Sequence, residues 1–178
     1  VLTPKSLLRH PRVVSSLDEL ASGQFQRILP DVSNPREKRA VGTQRPQSVS
    51  RILLCCGKIY YDLEHERERL ERNDVAILRV EQLYPLRDDE LTAALEPYPN
   101  DAAVFWVQEE PENMGAWWYL NQKFTKMLGE CRLSVVARQE AASPATGSAT
   151  RHREQQEQLL NKAFEQRAVE EAGSTQTG

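Results

Sequence analysis

Residues 49–57 read VSRILLCCG, a mostly apolar stretch that ends at a glycine. A short run of this kind is typical of a β-strand that is buried on both faces, as in a parallel sheet. The charged stretch that follows, residues 58–72, carries Ile59 and Leu63 four positions apart, a spacing that places both on one face of a helix. A buried strand followed directly by a helix is the repeating unit of α/β folds.

The same alternation continues through the rest of the chain. Predicted strands cover residues 74–80, 102–108 and 133–137, and predicted helices cover residues 88–95, 116–128 and 151–170. The sequence therefore predicts an α/β fold with a mostly parallel sheet flanked by helices and joined by right-handed crossovers. The charged face of the 58–72 helix is interpreted as a solvated surface, with an ion pair between Glu68 and Arg72.

The N-terminal part is less regular. Residues 1–3 have the character of a strand end, which suggests a chain cut from something longer, and residues 15–20 begin a short helix with a serine N-cap. Residues 25–29 alternate like an edge strand, and the basic stretch 31–48, with its prolines and a glycine, is typical of a loop. We predict an N-terminal segment over residues 1–48, an α/β domain over residues 49–170 and a disordered tail over residues 171–178.

Composition narrows the classes of protein. The chain has 178 residues, a formal charge of −3 at pH 7 and 39% hydrophobic residues, which suits one domain. No run approaches the roughly 20 apolar residues of a membrane helix, and the near-neutral charge argues against a nucleic-acid partner. The three cysteines form no disulfide framework, which is typical of an intracellular protein. Cys55 and Cys56 lie in the apolar run and are interpreted as buried small hydrophobes.

Several kinds of active site are excluded by spacing. The glycines nowhere form GxG, so neither a dinucleotide fingerprint nor a P-loop is present. The histidines His10, His65 and His152 lie far apart and show no metal-binding spacing. Catalysis by a Cys–His or a Ser–His–acid arrangement stays open at this point, because such groups meet in space rather than in sequence, although no GxSxG motif is present. Our prediction for this chain names no catalytic, cofactor-binding or metal-binding residue.

Residues 108–118 (QEEPENMGAWW) form the sharpest polar cluster, where the third predicted strand ends. Ligands of open α/β sheets bind outside the carboxyl ends of the strands, so Glu109, Glu110 and Asn113 stand in a suitable place. Two adjacent carboxylates could exchange protons with a substrate if one were desolvated. The alternative, which we favour, is that the acids cap the next helix and that Trp117 and Trp118 pack at a subunit contact.

Two further clusters are candidates for binding. Residues 141–148 (AASPATGS) include Ser143 and Thr146 and precede the helix that carries His152. Their small side chains suit either an anion at a helix N-terminus or a tight connection against a neighbouring subunit. Near the N-terminus, Lys5, Ser6 and Arg9 could together hold a phosphate.

Taken in order, these segments resemble the C-terminal region of the E1 component of the 2-oxoglutarate dehydrogenase complex. The resemblance covers roughly residues 1–167. Its segments are residues 3–11 (TPKSLLRHP), 15–20 (SSLDEL), 54–62 (LCCGKIYYD), 74–85 (DVAILRVEQLYP), 107–117 (VQEEPENMGAW) and 143–147 (SPATG), with His152 after them. The chain departs from the family pattern at Cys56, where serine is usual, and around residues 138–141.

The resemblance implies a fold similar to the C-terminal domain of transketolase-type enzymes, which helps to build a homodimer. The family decarboxylates 2-oxoglutarate on thiamine diphosphate with Mg²⁺ and transfers the succinyl group to lipoyl-bearing E2 in the tricarboxylic acid cycle. Its cofactor and catalytic histidines lie in earlier domains, and this chain lacks the Gly-Asp-Gly element that would open such a site. We therefore expect this segment alone to be inactive and to need the N-terminal and central E1 domains.

The resemblance also implies regulation and a location. Some members bind acetyl-CoA or a nucleotide, and Lys5, Ser6 and Arg9 are our candidates for a phosphate contact. The bacterial cytoplasm is favoured, with the mitochondrial matrix as the eukaryotic alternative. Two other interpretations stay open: a fragment of 2-oxoadipate dehydrogenase E1, and a stand-alone, non-catalytic domain that binds a nucleotide or a partner.

Overall fold

The strand predicted from residues 49–57 lies in the middle of a five-stranded sheet. The computed structural model describes residues 4–31, 48–127 and 133–165. Within these ranges the strands are β1 (Ile28–Leu29), β2 (Arg51–Cys55), β3 (Val75–Val80), β4 (Ala103–Pro111) and β5 (Leu133–Arg138). The helices are a 3₁₀ helix (Lys5–Arg9), α1 (Leu17–Ser22), α2 (Ile59–Arg69), α3 (Asp88–Leu95), α4 (Trp117–Met127) and α5 (Ala149–Phe164).

The strand order is β1-β3-β2-β4-β5. The pairs of β2 with β3, β2 with β4 and β4 with β5 are parallel, and only the short β1 runs antiparallel, against β3. This arrangement confirms the predicted α/β fold with its mostly parallel sheet flanked by helices. Because the four parallel strands point the same way, their carboxyl ends meet at one edge.

Each face of the sheet is covered by two helices. Leu54 belongs to a core with residues of α3 and α4, including Leu91 and Phe124. Its neighbour Leu53 belongs to the opposite core with residues of α2 and α5, including Leu63. Since successive strand side chains point to opposite faces, burial on both faces explains why the 49–57 run is apolar throughout.

Two arginines hold the C-terminal end of α5 against the sheet. The Arg51 guanidinium donates hydrogen bonds to the carbonyls of Ala163 (2.6 Å) and Lys162 (3.3 Å) and lies 4.0 Å from the centre of the Phe105 ring. Arg72 donates to the carbonyl of Phe164. The last carbonyls of a helix have no partner within the helix, so cationic donors at this end both satisfy them and complement the helix dipole.

The prediction of a solvated charged face on α2 is wrong. Glu64, Glu66 and Arg67 are only 2%, 8% and 6% exposed. The N-terminal segment covers two of these side chains, because Asp31 forms an ion pair with Arg67 at 2.7 Å and Arg12 lies 3.6 Å from the Glu64 carboxylate.

The pair predicted between Glu68 and Arg72 is also absent from the ion pairs of the described residues. Arg72 instead meets Asp74 at 2.7 Å. The hydrogen bond from Arg72 lowers the pKa of Asp74 to about 2, and a hydrogen bond from the Ser50 hydroxyl adds to this effect.

Strand and helix bounds differ from the sequence predictions mainly at their ends. The predicted 25–29 strand is only Ile28–Leu29, and Phe25 lies outside it, 70% exposed. β4 runs to Pro111, three residues beyond the predicted end at Gln108, and therefore carries the first acids of the polar cluster. Some predicted features lie outside the described residues. They are the helix termini at residues 128 and 170, the loop at residues 32–47 and the tail at residues 171–178. The division into 1–48, 49–170 and 171–178 stays a prediction.

No helix within the described ranges has the length and apolar character needed to cross a membrane.

Removing the Asp31 carboxylate should destabilise the fold strongly. The Asp31 and Arg67 side chains are 4% and 7% exposed, so Asp31→Ala leaves a buried guanidinium without this partner. We expect a loss of about 3 kcal/mol in the free energy of unfolding, measured by urea denaturation. The matched control is Asp89→Ala, because the Asp89 pair with Arg87 is 67% and 48% exposed. That change should cost much less than Asp31→Ala, because water screens an exposed ion pair, and equal losses for the two variants would contradict the structural role of Asp31.

Candidate functional site

Polar side chains from three strand ends meet at the carboxyl edge of the sheet. Lys58 follows β2, and its Nζ lies 2.8 Å from Oε1 of Glu109 on β4 and 3.5 Å from Oδ2 of Asp62 on α2. This edge is where open α/β sheets bind ligands. The structure therefore places the predicted site residue Glu109 in an ion pair with Lys58.

The contacts continue onto α5. Gln156 donates from Nε2 to Oδ2 of Asp62 at 2.9 Å, and Arg138, the last residue of β5, donates to Oε1 of Gln156 at 2.8 Å. The same Arg138 nitrogen lies 3.3 Å from Nδ1 of His152. We call this chain of contacts the carboxyl-edge network. Its members are Lys58, Asp62, Glu109, Arg138, His152 and Gln156.

A groove of about 530 Å³ opens beside the network, between α2 and α5. Its charged lining is balanced, with lysine and arginine side chains facing as many carboxylates. These charged residues are Lys58, Arg69, Arg153, Asp62, Glu66 and Glu157. A groove in which each sign is matched has no net attraction for an anionic or a cationic ligand.

The electrostatics of the network do not favour acid–base catalysis. Burial acts to lower the pKa of Lys58, but the hydrogen bond to Glu109 and the charge of that carboxylate outweigh it and raise the pKa. A lysine with a raised pKa stays protonated near neutral pH and cannot serve as a base. Lys58 therefore acts as the cationic partner of Glu109.

The two cysteines near this edge are also poor nucleophiles. Burial raises the pKa of Cys56 to about 11, with Glu81 adding to the shift, and burial raises the pKa of Cys55 further. Cys55 is fully buried, as predicted, and Cys56 is partly buried. Only a thiolate attacks or binds metal effectively, and both thiols stay protonated near neutral pH. Among residues 4–31, 48–127 and 133–165, no cluster of His, Cys, Asp and Glu is suited to hold a metal ion.

The amide of Gln108 organises the polar cluster after β4. Its Oε1 accepts hydrogen bonds from Nε1 of Trp106 (2.8 Å) and the backbone N–H of Trp117 (3.1 Å). Its Nε2 donates to the carbonyls of Met114 (2.7 Å) and Pro111 (3.0 Å). Gln108 is 3% exposed, and these bonds satisfy both of its polar atoms. The turn from β4 into α4 is therefore wrapped around one buried amide.

Sequence reasoning passed over Gln108 in favour of the acids beside it. The available signal was a single uncharged amide that follows an apolar run and stands a few residues before Pro111 and Gly115. A buried amide needs several partners, and backbone groups of a tight turn supply them.

The other predicted residues of this cluster have distinct positions. Glu110 is exposed. Asn113 donates from Nδ2 to the carbonyl of Ala141 at 3.0 Å and accepts from the N–H of Ala141 at 3.2 Å, so it joins the turn after β4 to the loop after β5. Trp117 is 7% exposed and lies in the core, whereas Trp118 is 57% exposed.

The loop before α5 is closed by its own hydrogen bonds. Ser143 Oγ donates to the carbonyl of Ala145 at 2.9 Å, and Thr146 Oγ1 accepts from the N–H of Ser148 at 3.2 Å. Ser148 then caps α5 by accepting from the N–H of Arg151 at 3.3 Å. Ser143 and Thr146 therefore shape the loop, and of the residues predicted here only His152 reaches the carboxyl-edge network.

Lys5, Ser6 and Arg9 lie on the 3₁₀ helix and are exposed. Within the described residues no hydrogen bond or ion pair of their side chains joins them to the carboxyl-edge network. Beside them, His10 packs on Tyr61 of α2 with ring centres 5.4 Å apart. The phosphate contact at these three residues stays a prediction.

Comparison with known proteins gives one consistent result. A family model described as 2-oxoglutarate dehydrogenase C-terminal matches residues 14–164. The 2-oxoglutarate dehydrogenase E1 component of Azotobacter vinelandii is 44% identical over 168 residues, which cover 92% of this chain and 17% of that protein. The protein of the same name from Haemophilus influenzae is 42% identical over 164 residues, with the same coverage of 92% and 17%. The chain thus spans 17% of the length of these curated relatives.

The close fit of Gly115 against Gln108 is open to a direct test. Gly115 has φ +70°, and a Cβ on it would lie 2.8 Å from the Gln108 Oε1. We expect Gly115→Ala to cost about 3 kcal/mol of unfolding free energy, from the left-handed backbone and the added crowding together. Gly57→Ala is the matched control, since Gly57 has φ +72° with nothing within 4 Å of its Cβ position. It should cost only about 1 kcal/mol, and equal costs in thermal denaturation would exclude the proposed crowding.

Proposed function

The chain belongs to the 2-oxoglutarate dehydrogenase C-terminal family, and we propose that it serves as the C-terminal part of a 2-oxoglutarate dehydrogenase E1. The observation that carries the proposal is the match to E1 components over 92% of the chain. The complete E1 would decarboxylate 2-oxoglutarate and pass the succinyl group to lipoyl-bearing E2 in the tricarboxylic acid cycle. The relatives are named for 2-oxoglutarate, which favours this substrate over 2-oxoadipate.

The described residues do not fit thiamine diphosphate with Mg²⁺. They hold no cluster suited to a metal ion, and the whole chain lacks Gly-Asp-Gly. The cofactor, which supplies the carbanion-stabilising chemistry of decarboxylation, would be held by the remaining E1 domains. The contribution of this chain is therefore structural, as a domain that resembles the C-terminal domain of transketolase-type enzymes.

Exposed apolar side chains support a role in assembly. No residue of the 3₁₀ helix or of α1 is buried. The large apolar residues exposed on this N-terminal segment are Leu8, Val14, Leu17, Leu20 and Phe25, between 68% and 83% exposed. Clustered exposed apolar residues mark surfaces that another protein covers. The occupants we propose are the other E1 domains and a homodimer partner.

A regulatory contact is the second part of the proposal. Lys5, Ser6 and Arg9 stand exposed on one short helix, a suitable arrangement for a phosphate of acetyl-CoA or a nucleotide. The bacterial relatives favour a cytoplasmic location.

The chain alone should release no CO₂ from 2-oxoglutarate when supplied with thiamine diphosphate and Mg²⁺. The Azotobacter vinelandii E1 serves as positive control in the same assay. A chimera of that E1, in which this chain replaces the aligned C-terminal segment, should retain 2-oxoglutarate-dependent ferricyanide reduction within about tenfold, since a tenfold loss corresponds to only about 1.4 kcal/mol. CO₂ release by the chain alone, or a folded and dimeric chimera without activity, would contradict the proposal.

Alanine substitutions of the two adjacent tryptophans should distinguish the exposed Trp118 from the buried Trp117. Trp118 is 57% exposed and Trp117 is 7% exposed. We expect Trp118→Ala to reduce the fluorescence of a hydrophobic dye bound to the chain. The same substitution should lower the free energy of unfolding by less than about 1 kcal/mol. Trp117→Ala should instead cost about 3 to 5 kcal/mol. Dye fluorescence that is unchanged in the Trp118 variant would argue against an apolar docking surface at this position.

A further inference from the structure

Arg138 is a buried cation without a carboxylate partner. The residue is 8% exposed, and its side chain meets only Gln156 Oε1 (2.8 Å) and His152 Nδ1 (3.3 Å). Its Nε is buried and has no hydrogen-bond partner within the described part of the chain. The other buried arginines of the described residues are compensated, since Arg67 forms an ion pair with Asp31 and Arg51 meets two helix carbonyls and the Phe105 ring. Within the described residues, Arg138 therefore remains a buried charge with neither an acidic partner nor a full set of hydrogen bonds.

A small cavity of about 50 Å³ lies against Arg138. Its lining contains a second cation, Lys162 of α5, and three side-chain amides, but no carboxylate. The amides belong to Gln139, Gln155 and Gln158. This lining differs from the balanced charges of the 530 Å³ groove on the other side of His152 and Gln156. One water occupies about 30 Å³ in the liquid, so the cavity fits a group of only a few heavy atoms.

We propose that this cavity, the Arg138 site, binds an oxyanion, either a phosphate group or a carboxylate. The Arg138 guanidinium offers donors in a planar fork that matches two oxygens, and Lys162 adds a point charge. Amide nitrogens of the glutamines supply neutral donors. An oxyanion in this place would set a negative charge beside the buried Arg138 and beside Lys162.

The position of the Arg138 site in the sheet supports a role in ligand binding. Arg138 ends β5, so the site lies at the carboxyl edge of the sheet, where α/β folds bind ligands. The residues involved differ from Lys5, Ser6 and Arg9, and no step of the argument depends on E1 chemistry. The site therefore stands or falls independently of the proposed function.

Titration of the chain with two probes tests the site. Sodium phosphate and sodium acetate are added separately, each against sodium chloride at the same pH and ionic strength, since surface charge effects depend on salt. We expect saturable binding by calorimetry, a rise of melting temperature with anion concentration, and a shift of the Arg138 Nε–H resonance. Binding of phosphate alone identifies a phosphoryl ligand, binding of acetate alone a carboxylate, and binding of both a general oxyanion site.

Variants locate the binding. Lys162→Gln removes a charge from the cavity lining and should raise the dissociation constant about tenfold, whereas Arg138→Gln should abolish binding. Arg153→Gln is the matched control, because it also removes one positive charge from α5, but Arg153 lines the larger groove. In this variant the dissociation constant should stay within about twofold.

Two results would overturn the proposal. The first is that neither anion binds saturably beyond the effect of chloride, which would leave water as the partner of Nε. The second is that Arg153→Gln weakens binding as much as Lys162→Gln, which would indicate diffuse surface charge. If Arg138→Gln does not fold, the comparison between the Lys162 and Arg153 variants still shows whether the anion binds at the Arg138 site.

Discussion

Burial of β2 on both faces is the constraint from which the rest of the fold follows. Leu53 and Leu54 are adjacent, point to opposite sides and are both fully buried, so the sheet needs a helical layer on each face. The crossovers between parallel strands bring α2 to one face and α3 and α4 to the other, and α5, which follows the last strand, completes the layer with α2. Parallel strands in turn gather their carboxyl ends at one edge, which is why Lys58, Glu109 and Arg138 meet although they are far apart in sequence.

Nearly all buried polar side chains of the described residues have hydrogen-bond or ion-pair partners, and the exceptions are informative. Gln108 places both polar atoms of its amide in hydrogen bonds with Trp106 and the following turn, and Arg67 meets Asp31. An unpaired buried charge costs several kcal/mol, of the order of 3 to 5 when a partner is removed. Arg138 departs from this pattern within the described residues, because its Nε has no hydrogen-bond partner and no carboxylate pairs with it. A ligand of opposite charge is the simplest compensation.

The sequence predicted those features that depend on local pattern. Runs of apolar residues marked all four parallel strands, and the acids at its start marked α3, which spans Asp88–Leu95 as predicted. Features that depend on distant contacts were missed. Glu64 and Arg67 look like solvated helix residues until Arg12 and Asp31, well before them in the chain, are placed against α2. Likewise, Glu109 suggested acid–base chemistry because nothing local shows that Lys58 neutralises it.

The N-terminal segment packs on the domain through β1 and through ion pairs, but it leaves the apolar side chains of α1 exposed. Ile28 of β1 packs on the core, Arg12 pairs with Glu68 of α2 and Arg27 with Glu90 of α3, while Leu17 and Leu20 are exposed. A capping box at Ser16 stabilises the start of α1 by only about 1 kcal/mol, and a six-residue helix is unstable on its own in water. Exposed ion pairs add little. No residue of α1 is buried, so the described residues leave its apolar side chains uncovered. This exposure is the physical basis of the assembly role that we propose for the segment.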